Sequence, residues 1–216
     1  MCGRITLRTN IHTIANELQA PLPGLETVPR YNVSPGQFVL AIRGADQREI
    51  VQLKWGLIPS WSKDAKIAFS CLNARADTVK TKPAFRSAYK SRRCLVPADG
   101  YYEWLREGKE KLPYLYEFGG GKLFSLAGLW ETWTDPAVAG ALPLQTFTLI
   151  TTEANELAAE VHDRMPVIVH AEDRQAWLAG DEIPLVPYET TGMSARRVSK
   201  VVNNSRNEGA ECIAAP

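Results

Sequence analysis

Metal-ligating residues are few in this chain and poorly spaced for ligation. The 216 residues include three histidines and four cysteines. Cys2, Cys71, Cys94 and Cys212 are scattered, and none stands in a C-x-x-C pair. Neither a metal site nor a cofactor is therefore expected, and the thiols are expected to be free in a reducing cytoplasm. No apolar run is long enough to span a bilayer, and Met1–Arg4 lacks the pattern of a secretory signal, so no membrane partner is expected. No repeat, low-complexity tract or linker interrupts the chain. Regular strand–helix alternation is also missing, which argues against a doubly wound sheet.

What is present is a well-supplied globular composition, with 45% hydrophobic residues, six Trp and seven Tyr. That suffices for one large domain or two small ones. The formal net charge of +1 hides an asymmetry. From Lys54 to Arg93 ten cations face only Asp64 and Asp77, a net of +8 that leaves −7 for the rest. A basic face suggests a polyanion partner, and charges paired elsewhere in the fold explain it equally well.

Asn10 is placed to cap a short helix with Ile11, Ile14 and Leu18 on one face. Phe38–Arg43 and Ile50–Trp55 form a strand pair. Tyr101–Leu105 and Pro113–Phe118 flank the polar turn Arg106–Lys111, and the Gly119–Gly121 turn leads to a strand over Leu123–Leu129. Thr146–Thr151 and Val167–Val169 are strands. Glu153–Val161 and Glu172–Ala179 are helical, the second stopped by Gly180. Many strands with few peripheral helices predict an α+β fold with a barrel-like or two-sheet, mostly antiparallel β core.

Cys2 carries the strongest chemical signal. It follows the initiator Met1, and its small size favours methionine removal. The new terminus would be a vicinal aminothiol, with an amine pKa of about 8 and a thiol pKa of about 8.5. Such a group condenses with an aldehyde, first to a Schiff base and then to a thiazolidine. From position alone an inert terminal cysteine is the better reading.

Other polar residues add to this. Glu103 is flanked by Tyr102 and Trp104, which alternation sends to the opposite strand face. Its carboxylate is either exposed or held in a pocket that raises its pKa for proton transfer. His162, at a helix–strand junction beside Arg164, is well placed to face a ligand. Asn73 and Arg75 offer an amide and a guanidinium to a phosphate or sugar. Of Trp55 and Trp61, one belongs to the core and an exposed one would be a base-stacking platform.

Taken together, these segments resemble the SOS response-associated peptidase (SRAP) family. The matching stretches are Cys2-Gly3-Arg4, Arg30–Gly36, Trp55–Trp61, Asn73–Thr78, Arg93–Trp104, Thr151–Asn155 and Val161–Pro166. They occur in family order, which is more specific than any one of them. Asp77 departs from the glutamate expected in many members. The resemblance implies a single domain over residues 1–216, acting as a monomer in the cytoplasm and on the nucleoid when bound to DNA. It implies recognition of abasic sites in single-stranded DNA and a covalent crosslink through Cys2. Asn73, Glu103 and His162 would surround that nucleophile. Arg4, Arg75, Arg164, Trp61 and Pro35 would hold the DNA. Peptidase-like self-processing and lyase-type reversal are implied as well.

Three other classes remain open. A glutamine amidotransferase with an N-terminal cysteine accounts for Cys2 but not for the basic segment, and would release ammonia from glutamine. A Cys–His protease would not need a free α-amine. A non-enzymatic single-strand binding module would be indifferent to abasic sites and to Cys2.

Overall fold

The computed structural model describes every residue except Met1 and Leu25. The amino-terminal half holds β1 (Ile5–Leu7), α1 (Ile11–Glu17), β2 (Arg30–Val33), β3 (Phe38–Arg43), β4 (Glu49–Trp55), β5 (Asn73–Arg75), α2 (Arg86–Ser91) and β6 (Arg93–Ala98). Then come β7 (Gly100–Glu107), β8 (Glu110–Phe118), β9 (Phe124–Trp133) and β10 (Leu144–Glu153). The chain closes with α3 (Glu156–Ala159), β11 (Arg164–Pro166), β12 (Ile168–Val169), α4 (Arg174–Ala179) and β13 (Met193–Arg197).

Five strands close on themselves in the order β10-β4-β3-β6-β9, because β9 and β10 also pair with each other. This barrel extends through β5 and β11 on β10 and β12 on β9. A second sheet runs β13-β8-β7-β1-β2. Pairing is antiparallel except where β10 meets β4 and β5. The architecture is α+β with a barrel, a second sheet and short peripheral helices, as expected.

Barrel strand β3 is apolar on both faces, and alternation explains why. Val39 and Ala41 enter a core shared with Cys2, Ile5, Tyr101 and Tyr116 of the second sheet. Leu40 and Ile42 enter another core, with Ile14, Leu18 and Trp177 of α1, its C-cap and α4. The Asn10 side chain accepts from Thr13 N at 3.0 Å and starts α1. Gly180 ends α4 with φ of 93°, a conformation open to glycine.

One helix is shorter than its sequence pattern suggests. Of Glu153–Val161 only Glu156–Ala159 is helical. Glu153 is held in the β10–β11 ladder opposite Arg164, and Asn155 caps the helix by accepting from Ala158 N at 2.8 Å. Strand pairing and an Asn cap override the helical periodicity there.

Strand β1 brings the amino terminus to the centre of the second sheet. A Cβ on Gly100 would lie 2.7 Å from Thr6 Oγ1, so glycine permits the close approach of β7 to β1. Ile5 pairs with Tyr101, and Tyr102 N donates to Arg4 O at 3.0 Å. Carried two steps further, that register sets Glu103 beside Gly3 and next to Cys2.

Candidate active site

Cys2 is fully buried where the two sheets meet. From the barrel side, Asn73 at the start of β5 donates its Nδ2 to Cys2 O at 2.9 Å. The Asn73 Oδ1 is buried and accepts no hydrogen bond among the described residues. From the other side comes Glu103, whose charge together with burial pushes the Cys2 thiol well up, burial being the larger effect. The thiol is therefore protonated at neutral pH.

Glu103 is 3% exposed, which decides between the two sequence readings in favour of the pocket. It lies on the Tyr101 face of β7. Tyr102 and Trp104 lie on the other face, with ring centroids 6.1 Å apart. Burial raises the Glu103 carboxyl from 4.5 to about 7, with the nearby Asp163 charge adding to the rise. Such a group exchanges a proton at working pH.

His162 lines the same open cleft as Glu103, with Arg4, Trp104, Arg106, Lys111 and Asn203, and the cleft measures about 330 Å³. Its Nδ1 lies 3.0 Å from the Arg164 backbone N–H and 2.8 Å from an Asp163 carboxylate oxygen. It cannot accept from one and donate to the other at once. Burial lowers the His162 pKa, and Arg164 N is held by strand β11. We therefore assign Nδ1 as the acceptor and the proton to Nε2.

The three arginines singled out in the sequence all have internal partners. Arg4 donates to Asn32 Oδ1 and to Val202 O, and its guanidinium stands 5.4 Å from the Trp104 ring centroid. Arg75 pairs with exposed Asp77 at 2.7 Å, so the shorter acid at position 77 meets this cation directly. Arg164 is buried and donates to Thr151 O and Oγ1, while lining a second cleft with Asp77, Lys80 and Glu153. Arg93, inside the basic segment, is spent in the core between the Tyr89 and Trp177 rings.

That segment still keeps free charge. Among the described residues, Lys54, Lys63, Lys66, Lys82, Arg86 and Lys90 form no ion pair, whereas Arg75, Lys80, Arg92 and Arg93 do. Two of them, Lys54 and Lys66, line one aromatic groove. Trp55 is core and Trp61 is 60% exposed, which resolves the tryptophan pair. Phe69, 80% exposed, was not singled out in the sequence. It lines an apolar groove of about 320 Å³ with Pro35, Lys54 and Lys66. Its signal in the sequence was an aromatic shortly after Lys66 within the basic stretch. The four cysteines are all free and buried.

The fold and this arrangement define a class. It is a β-barrel α+β protein whose second residue, a cysteine, lies between a barrel asparagine and a buried glutamate. The chain belongs to the SOS response associated peptidase (SRAP) family, whose profile matches residues 1–205. It is 41% identical over 224 residues to the abasic site processing protein YoqW of Bacillus subtilis, covering 99% of both chains. It is 32% identical over 223 residues to the abasic site processing protein HMCES of Xenopus tropicalis, covering 87% of this chain and 66% of that one. A solved structure from Bacteroides thetaiotaomicron superposes with a TM-score of 0.86 at 27% identity over the full length of both chains.

Proposed function

We propose that this protein recognises abasic sites in single-stranded DNA and joins them covalently through Cys2, shielding the lesion during the DNA damage response. The observation that carries this reading is the meeting of Cys2, Asn73 and a buried Glu103, its carboxyl pushed up to about 7, at the edge of a cleft that also holds His162. The names of the family relatives support the lesion. The chemistry supports the bond. Loss of Met1 gives Cys2 a free amine, which attacks the aldehyde of the ring-opened sugar and expels water to form a Schiff base. The Cys2 thiol then adds across the C=N bond, its proton passing to nitrogen, and closes the thiazolidine.

Glu103 moves protons at the amine and at the carbinolamine. His162 donates from Nε2 to the ring oxygen, which opens the sugar, and serves the reverse path by microscopic reversibility. Asn73 holds the Cys2 carbonyl and keeps an acceptor free for the linkage. Trp61 and Phe69 offer faces on which bases stack. Peptidase-like self-removal of Met1 and lyase-type release belong to the same proposal. The deciding experiment incubates the protein with an oligonucleotide carrying one abasic site and resolves it on a denaturing gel. A persistent shifted band is expected, and its absence would refute the reading.

His162→Ala is expected to slow crosslink formation by about 10²–10⁴-fold and to slow exchange of a preformed crosslink onto competitor DNA. Single-turnover gels measure the first and a chase measures the second. Wild-type rates in both would make His162 purely structural. Trp61→Ala is expected to weaken binding of undamaged single strands by about 1–3 kcal/mol, the range for one stacked base. Fluorescence anisotropy checks this, and unchanged affinity would place the strand elsewhere.

A further inference from the structure

Resting on the proposed function, we infer that Arg106 and Lys111, at the end of the β7–β8 hairpin, form a phosphate-binding subsite for one of the two phosphates that flank the abasic sugar. Arg106 and Lys111 are register partners across the two strands, and both are exposed. Like charges directly opposite one another destabilise a sheet unless an anion lies between them. Among the described residues neither side chain has an ion-pair or hydrogen-bond partner. The next register pair, Glu107 and Glu110, alternates to the face of β7 that bears Glu103, whereas Arg106 and Lys111 share the Trp104 face, and Glu110 is held by Lys200 at 2.9 Å.

The two cations are not a loose surface pair. From the Trp104 face both line the cleft that Glu103 and His162 also border. Asn203, from the carboxy-terminal segment, fixes that end of the hairpin. Its Oδ1 accepts from Trp104 Nε1 at 2.6 Å, and its Nδ2 donates to Lys111 O at 3.1 Å. Arg4, the third cation of the cleft, is already committed to Asn32 and Val202 O. Among the described residues, Arg106 and Lys111 are the exposed cations of this cleft, whereas the unpaired Nε of Arg4 is buried.

Substrate chemistry supplies the other half of the argument. An abasic sugar within a strand carries one phosphate on its 5′ side and one on its 3′ side. Arg164 lines a separate cleft beside β5 and β11, and both it and Arg75 are already paired, with Thr151 and Asp77. A single cationic wall serves one phosphate. Arg106 and Lys111, in the cleft that Glu103 and His162 border, supply cations for one of these phosphates.

The test is a cycle of protein and DNA changes. Oligonucleotides carry one abasic site with the 5′ or the 3′ flanking phosphate replaced by a neutral methylphosphonate. In wild type both replacements are expected to weaken binding. In R106A/K111A affinity for the unmodified strand is expected to fall about tenfold or more, and the log–log salt slope to flatten by about 1.4, two single-strand contacts. One of the two methylphosphonates should then cost nothing further, while the other keeps its full effect. R106Q/K111Q should repeat the pattern, and the melting temperature should hold or rise because a like-charge pair is gone. If both methylphosphonates cost the variants as much as wild type, the subsite is overturned while the crosslinking reading stands. If wild type binds abasic strands with this cycle intact yet forms no covalent adduct, the crosslinking reading falls and the subsite stands.

Discussion

Cys2→Ala will abolish the heat-stable adduct with abasic DNA while leaving the protein folded and able to bind single strands. Alanine at the new terminus keeps the amine, so a Schiff base still forms, but nothing closes on the C=N bond. The adduct then becomes labile to heat and trappable by borohydride. Serine in the same place offers only an oxygen ring, which is weaker. The removed Sγ is small and fully buried, and the cost in stability is that of a modest cavity. An extension that prevents loss of Met1 is expected to have the same effect as Cys2→Ala or a larger one, because the α-amine is then an amide. Intact mass paired with a denaturing gel reads both variants. A heat-stable adduct at wild-type yield from Cys2→Ala would refute thiazolidine closure.

Glu103→Gln is expected to slow crosslink formation by about 10²–10⁴-fold and to change the pH dependence of both rate and stability. The carboxyl is raised from 4.5 to about 7 by burial, so the folded state holds its proton more tightly than the unfolded state does. Its contribution to stability is full below pH 4.5 and is lost as pH rises through about 7. At 1.36 kcal/mol per pKa unit the loss amounts to about 3 kcal/mol. Wild type should therefore lose stability across that window, and Glu103→Gln should lack this part of the slope. Urea unfolding at several pH values for the two proteins isolates the difference. The crosslinking rate of wild type should rise towards pH 7, as the carboxylate form becomes available, and the variant should lack that limb. Parallel stability curves would show that Glu103 is not buried as an acid, and an unchanged rate would remove it from proton transfer.

The two predictions share a physical cause. A glutamate within a nearly closed pocket costs stability at neutral pH, and a cysteine in the same pocket keeps its thiol neutral. A site that stores this cost is suited to chemistry in which neutral nucleophiles and exchangeable protons are needed together.

Local patterns alone determined much of this protein. The Asn10 cap, the Gly180 stop, the strand Phe38–Arg43 and the hairpin around Arg106–Lys111 depend on near neighbours in the chain, and their residues specify them. The nucleophile was legible because an amino-terminal cysteine has a reactivity that no internal cysteine has. The ordered set of motifs made the family recognisable before any contact was known. Alternation placed Glu103 opposite Tyr102 and Trp104, but both a pocket and an outer face were compatible with it. Only the packing of β1 onto β7, permitted by Gly100, buried Glu103 beside Cys2. The helix over Glu153–Val161 shrank because a ladder to β11 and the Asn155 cap outweighed its periodicity. The partners of Arg4, Arg75 and Arg164, and the freedom of Arg106 and Lys111, were likewise decided by tertiary structure. Ion pairs and buried hydrogen bonds join residues up to 198 positions apart, as between Arg4 and Val202, and no local pattern encodes which acceptor a cation will meet.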